Sequence, residues 1–239
     1  MQEERHLGFG GPDEIERMLQ AASAMADISA RIDFISRHFL GVRYRESTLI
    51  GSPDIPEVLV INLQAVDCFT YLDYVESMRF SHSFEEFRHH LRMVRYRSGR
   101  VSYGERNHFF TDWAASSRVY DVTDRIGREK ARGVTKILNR KGDGTCFLPT
   151  IPPVKRKIVF VPTSVIDEQM FATLETGDYV GIYTETDGLD VSHVGIAVRG
   201  ERRVLLRHAS SIGKKVIDQD LKRYVSGKPG IIVLRPRSE

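Results

Sequence analysis

Residues 60–78, VINLQAVDCFTYLDYVESM, decide how this chain is read. The branched run Glu57–Leu63 (EVLVINL) that leads into them has the composition of a short strand. From Asp67 the period changes. Cys68, Leu72 and Val75 stand at i, i+4 and i+7 on one helical face, and Asp67 is of the type that caps a helix start. The cysteine is thereby predicted in the first helical turn, where the positive end of the peptide dipoles favours a thiolate. A thiolate is the form that attacks a carbonyl. The other reading of Cys68 is a small buried hydrophobe.

Upstream, the N-terminal segment 1–41 reads as two helices. Pro12 suits a first turn, Ile15, Met18, Leu19, Ala22 and Met25 share one face, and Ile28, Ile32, Ile35 and Phe39 repeat the pattern until Gly41. Residues 42–55 are turn formers without helical period. Downstream, Ser83 and Glu86 in SFEE have capping-box spacing. They open a helix with Phe87, Leu91 and Val94 as its buried stripe and Arg88, Arg92 and Arg95 as its basic outer face. Residues 100–150 read as loop-rich. Five strands follow: KIVFVP (157–162), DYVGIYT (178–184), SHVGIAVR (192–199), RRVLLRHAS (202–210) and GIIVLRP (230–236), with a short helix near Asp220–Val225. Helices first and an antiparallel sheet second is an α+β order. One domain is expected over 1–239, with 42–239 as its catalytic core.

A cysteine hydrolase needs a histidine to exchange protons with thiol and leaving group, and a polar group to orient that imidazole. His193 opens an otherwise apolar strand. Alternation puts His193, Gly195 and Ala197 on one face, and the small neighbours leave room for substrate. His208 lies on the next predicted strand and is the candidate orienter. Each histidine also reads as a hydrogen-bonded structural residue, and it is the pair together with a helix-start cysteine that points to chemistry. Cys146, in GDGTCFLP, is the rival thiol, but its turn-like setting supplies no helix dipole, so it is read as structural.

The chain has 239 residues, 41% hydrophobic and 28% charged, enough for a buried core without a disulfide and too apolar for disorder. Its net charge of +3 suits an anionic small substrate and is too weak to argue for nucleic acid. No run of 18 apolar residues is present to span a membrane, and MQEERHLGFGG lacks the features of a signal peptide. There is no H-E-x-x-H, C-x-x-C, Walker or Rossmann pattern, and adjacent His89 and His90 point in different directions on a helix, so no metal or cofactor is expected.

The succession LGVRY (40–44), DCFTYLDYV (67–75), TGDYVGIY (176–183), SHVGIAV (192–198) and RHAS (207–210) resembles the NlpC-type cysteine peptidases, papain-like hydrolases of bacterial cell-wall peptides. Within them it is similar to the N-acetylmuramoyl-L-alanine amidase-like branch, matched by EVLVINLQAVDCFTYLDYVESM, RNHFFTDW and LRHAS. The resemblance runs from Leu40 to the C-terminus. It implies a papain-like fold with Cys68 as nucleophile, His193 as base, His208 as third member and Tyr44 beside the nucleophile, holding the oxyanion together with backbone N–H groups of the helix start. Arg43 stands where relatives often carry proline.

The branch's activity is cleavage between the lactyl group of (anhydro)muramic acid and L-alanine. That implies a muropeptide substrate, with Arg106, Asn107, His108, Asp112 and Trp113 as candidates to bind the sugar; for Trp113 a structural anchor is the competing role. The resemblance places the protein in the cell envelope or periplasm. Two competing activities are a γ-D-glutamyl-diamino acid peptidase of stem peptides and a cell-wall binding module with a dead site.

Overall fold

The computed structural model describes residues 2–115, 118–201 and 203–237. In chain order the elements are β1 (Glu3–His6), α1 (Pro12–Ser23), α2 (Ile28–His38), β2 (Arg43–Tyr44), β3 (Leu59–Asn62), β4 (Ala65–Val66), α3 (Cys68–Met78), α4 (Phe84–Arg95), β5 (Val119–Asp121), α5 (Thr123–Gly127), β6 (Arg132–Leu138), β7 (Val154–Pro162), α6 (Glu168–Thr173), β8 (Tyr179–Tyr183), β9 (Val191–Arg199), β10 (Val204–Ser210), β11 (Lys215–Asp220), α7 (Leu221–Val225) and β12 (Gly230–Pro236). The class is α+β with a mostly antiparallel sheet. The described chain falls into two compact units. One comprises the residues up to Asn107 together with Arg207–Asp218, and the other His108–Leu206 together with the residues from Gln219 onward. No helix among the described residues is long and apolar enough to cross a membrane.

In the first unit the helices form where periodicity and caps predict them. Pro12 occupies the first turn of α1, which buries Ile15, Met18, Leu19 and Ala22. Asp27 caps α2 by accepting from the N–H groups of Ser29 and Ala30, and Arg37 and His38 lie in its last turn, where cations complement the dipole. Ile15, Leu19, Ile32, Ile35, Phe39, Tyr71, Leu72, Tyr74, Phe87 and Leu91 are all fully buried. Phe39 lies edge-on to Tyr71 at 5.4 Å and stacks on Tyr74 at 6.4 Å. The ladder here runs β4-β2-β11-β10, with β2 parallel to β4 and antiparallel to β11. The predicted strand 57–63 is β3, and it pairs in parallel with β1, a strand of charged residues with no apolar alternation to announce it.

The second unit is built on the ladder β9-β8-β12-β7-β6, antiparallel throughout, with β5 on the far part of β12. Val161, Leu174, Val180, Ile182, Ala197, Leu206, Leu221, Ile231 and Val233 are buried together in its core. Gly181 in β8 is required by close approach, since a Cβ there would lie 2.7 Å from the Phe110 ring and from Val191.

Three expectations need correction. Residues 100–150 contain β5, α5 and β6, and the short helices α5 and α6 are interleaved with strands instead of preceding them, whereas α7 forms near Asp220–Val225 as expected. Strand β11 was not predicted, and Arg202, included in the predicted strand 202–210, lies outside the described residues. Arg95 is no part of a basic outer face. It is buried, with Nε donating to Asp73 at 2.8 Å and Nη1 to the Val60 carbonyl at 2.7 Å. Helical spacing reports which residues share a face; it does not report that α3 offers a carboxylate to it.

Candidate active site

Cys68 is the first residue of α3, as the change of period predicts. Asp67 has extended backbone, and its Oδ1 accepts from the N–H groups of Phe69 at 3.0 Å and Thr70 at 2.7 Å. Thr70 Oγ1 in return accepts from the Asp67 N–H at 3.0 Å, which completes a capping box. The Phe69 and Thr70 N–H groups are thereby engaged by the cap.

Tyr44 belongs to the same unit. In β2 it stands opposite Val66, two residues before Cys68, and its N–H donates to the Lys214 carbonyl at 2.9 Å. Its phenol is pushed up to about 12, first by burial and then by the negative charges of Cys68, Glu46 and Asp67. Tyr44 therefore lies near enough to feel a charge on the sulfur, and it remains a hydrogen-bond donor at neutral pH.

His208 is buried in β10 at 1% exposure. Its neighbour Arg207 anchors the strand, donating to Asp218 at 2.8 Å, Asp33 at 2.8 Å and Ser36 Oγ at 2.9 Å. Burial works against the charge of Arg207, but the Asp218 and Asp33 contacts raise its pKa overall. Alternation turns the His208 side chain to the opposite face.

In the second unit, His193 is half-buried in β9, opposite Ile182 and beside a register shift between Ile182 and Tyr183. Its ring lies 5.9 Å from that of Tyr224. Gly195 and Ala197, read as small neighbours that leave room for substrate, are buried, and Ala197 packs in the core of the second unit. Just before β9, Asp190 is buried and accepts from Thr111 N at 2.7 Å and Thr111 Oγ1 at 2.8 Å, tying the 110–115 turn to the strand that carries His193. Burial raises the Asp190 pKa. Sequence spacing carries no sign of the Asp190 partner seventy-nine positions away.

The five residues proposed for the sugar are occupied as follows. Arg106 is paired with Glu57 at 2.6 Å, and Asn107 donates to the Val94 carbonyl at 2.8 Å, both in the first unit. In the second, His108 is half-buried, and Asp112 accepts from Phe109 N at 2.9 Å and pairs with Arg156 at 2.8 Å. Trp113 is 3% exposed and meets Tyr179 edge-on at 5.2 Å. A side chain so enclosed presents no face to a sugar, so its surroundings support the anchoring role. Cys146 bridges to Arg140 across a turn, and neither cysteine is in a disulfide. Among the described residues no group of three or more His, Cys, Asp or Glu is placed to hold a metal ion.

Several solved structures are similar to this chain. One, from Legionella pneumophila, has a TM-score of 0.81 at 22% identity over 95% of both chains, which is a likeness of fold. Two crystal structures of an N-acetylmuramoyl-L-alanine amidase from Bacteroides uniformis have TM-scores of 0.71 and 0.72. They are 25% and 27% identical over 94% and 90% of this chain and 99% and 100% of theirs. No curated protein matches the chain. The family model described as AmiA-like, N-acetylmuramoyl-L-alanine amidase-like, matches residues 34–231, so the chain belongs to the N-acetylmuramoyl-L-alanine amidase-like family.

Proposed function

We propose that this protein is a cysteine amidase of the NlpC type, with a papain-like fold, that hydrolyses the bond between the (anhydro)muramoyl lactyl group and L-alanine in peptidoglycan fragments within the cell envelope. The observation that carries the proposal is a capped helix beginning at Cys68 with the Tyr44 phenol coupled to it, in a member of this family.

In this reading the Cys68 thiolate attacks the lactyl carbonyl carbon, and the carbonyl oxygen takes up the negative charge. Tyr44 donates a hydrogen bond to that oxyanion. His193, protonated, gives its proton to the alanine nitrogen as the C–N bond breaks, releasing the peptide and leaving a thioester on Cys68. Water then attacks the thioester while His193 takes up its proton, freeing the sugar acid and restoring the thiolate. His208 orients the His193 ring. Arg106, Asn107, His108 and Asp112 remain proposed sugar contacts, whereas Trp113 is left to its packing.

The test is mass spectrometry of products from an anhydromuropeptide. Wild type and Cys146→Ala should release sugar freed of its whole peptide and Cys68→Ala none; a trimmed stem still attached to sugar marks the γ-D-glutamyl peptidase instead. Tyr44→Phe is expected to lower kcat by roughly 10²–10³, the range for one oxyanion donor.

A further inference from the structure

Four cations surround Tyr44 in the first unit: Arg43 and Arg45 on either side of it in sequence, and Lys214 and Lys215 on the segment that pairs with β2. All four are exposed. Lys215 stands directly opposite Arg43 in the antiparallel ladder. The hydrogen bonds from Tyr44 N to Lys214 O at 2.9 Å and from Val216 N to Val42 O at 2.8 Å flank that pair, which makes it the non-hydrogen-bonded kind, where facing side chains come closest. Like charges so placed oppose strand pairing. Lys214 shares the Tyr44 side. Its Nζ lies 5.9 Å from the centre of the Tyr44 ring, and its backbone is left-handed, with φ of 57°.

The neighbourhood has carboxylates but spends them elsewhere. Glu46 helps raise the pKa of the Tyr44 phenol, Asp67 caps α3, and Asp33 and Asp218 hold Arg207. Among the described residues, none of Arg43, Arg45, Lys214 or Lys215 forms an ion pair, while Arg79, Arg88, Arg95, Arg106 and Arg207 of the same unit all do. Two like charges are thus opposed in register, a third cation stands over the phenol that senses Cys68, and no protein anion neutralises them.

We infer that this cluster is a carboxylate-binding subsite for the peptide portion of the substrate, with Lys214 making the contact nearest the nucleophile and Arg43, Arg45 and Lys215 raising the local positive potential. The inference rests on the reading of Cys68 as the nucleophile and adds what the substrate must carry: a free carboxylate on the peptide side of the scissile bond.

The experiment measures binding apart from turnover. In Cys68→Ala protein, calorimetry compares an N-acetylmuramoyl tripeptide bearing a free C-terminal carboxylate with the same compound as a carboxamide, at low and high salt. The carboxylate form should bind roughly fivefold tighter, the scale of one exposed ion pair, and salt should erase the preference. Lys214→Gln should remove it with the melting temperature unchanged, and Lys214→Arg should restore it. Equal binding of the two forms, no binding of either, or a preference that survives Lys214→Gln overturns the subsite. Wild-type turnover separates the two ideas. Cleavage of both compounds with no carboxylate preference removes the subsite alone, and cleavage of neither, or of a muropeptide at another bond, removes the amidase reading.

Discussion

Asp73 and Arg95 meet at 2.8 Å with both side chains 1% exposed, so the helix that begins at Cys68 is pinned to the following helix by a buried ion pair. Arg95 also donates to the Val60 carbonyl, which extends the link to β3. Replacing Arg95 by Met leaves a buried carboxylate without its cation, and the expected loss is about 3–5 kcal/mol in urea unfolding. The double variant Asp73→Leu, Arg95→Met is expected to recover most of that loss, because an apolar pair of similar volume carries no desolvation penalty. A double variant as unstable as the single one contradicts this account.

The same carboxyl sets a pH dependence. Burial pushes Asp73 up to about 6 against the pull of Arg95, from an ordinary value of 3.8. In that window the folded protein holds a proton that the unfolded chain has released. The unfolded state therefore binds fewer protons, and the Asp73 contribution to stability falls as pH rises through the window. Urea midpoints of wild type and Asp73→Asn should diverge across it, the wild type losing stability with rising pH relative to the variant; parallel profiles refute the assignment.

The cap of α3 permits a separate test of the thiol. Asp67→Asn keeps an oxygen acceptor for the Phe69 and Thr70 N–H groups and removes a negative charge next to Cys68. Stability is expected to change by less than about 1 kcal/mol. Alkylation of Cys68 by iodoacetamide at a fixed pH below neutrality should be faster in the variant, since a thiolate then forms without a carboxylate beside it. A slower reaction with the fold intact contradicts the electrostatic account.

Trp113 separates anchoring from recognition. Trp113→Ala is expected to destabilise the protein by about 3–5 kcal/mol, the range for deleting a buried aromatic, and Trp113→Phe by less. For a Trp113→Phe protein that remains folded, KM for the muropeptide should stay at the wild-type value. A large rise in KM with an unchanged melting temperature places the indole against substrate.

Much of the candidate site is legible in the chain because its signals are local. The helix start at Cys68, its cap at Asp67 and the alternation that carries His193 depend on residues within a few positions of each other, where backbone geometry alone fixes what shares a face. The Ser83 cap shows how far that logic reaches. Its side chain accepts from Glu86 N at 3.2 Å as expected, but the Glu86 carboxylate turns to the backbone N–H of His82 at 2.7 Å, so only half of the predicted capping box forms.

What the tertiary structure alone decided are the partnerships between distant residues. Asp73 with Arg95, Arg207 with Asp33 and Asp218, and Thr111 with Asp190 join segments from 11 to 174 positions apart, and no periodicity encodes them. The charged strand β1 forms because β3 supplies a partner, not because its own residues favour a strand. Sequence thus determined the main helices, the strands with clear apolar runs and the candidate thiol at its helix start, while the packed structure determined the remaining strands and which charges are neutralised. That division follows from the range of the forces: capping and periodic burial act over one or two turns, whereas a buried charge must find its counterion wherever folding brings one.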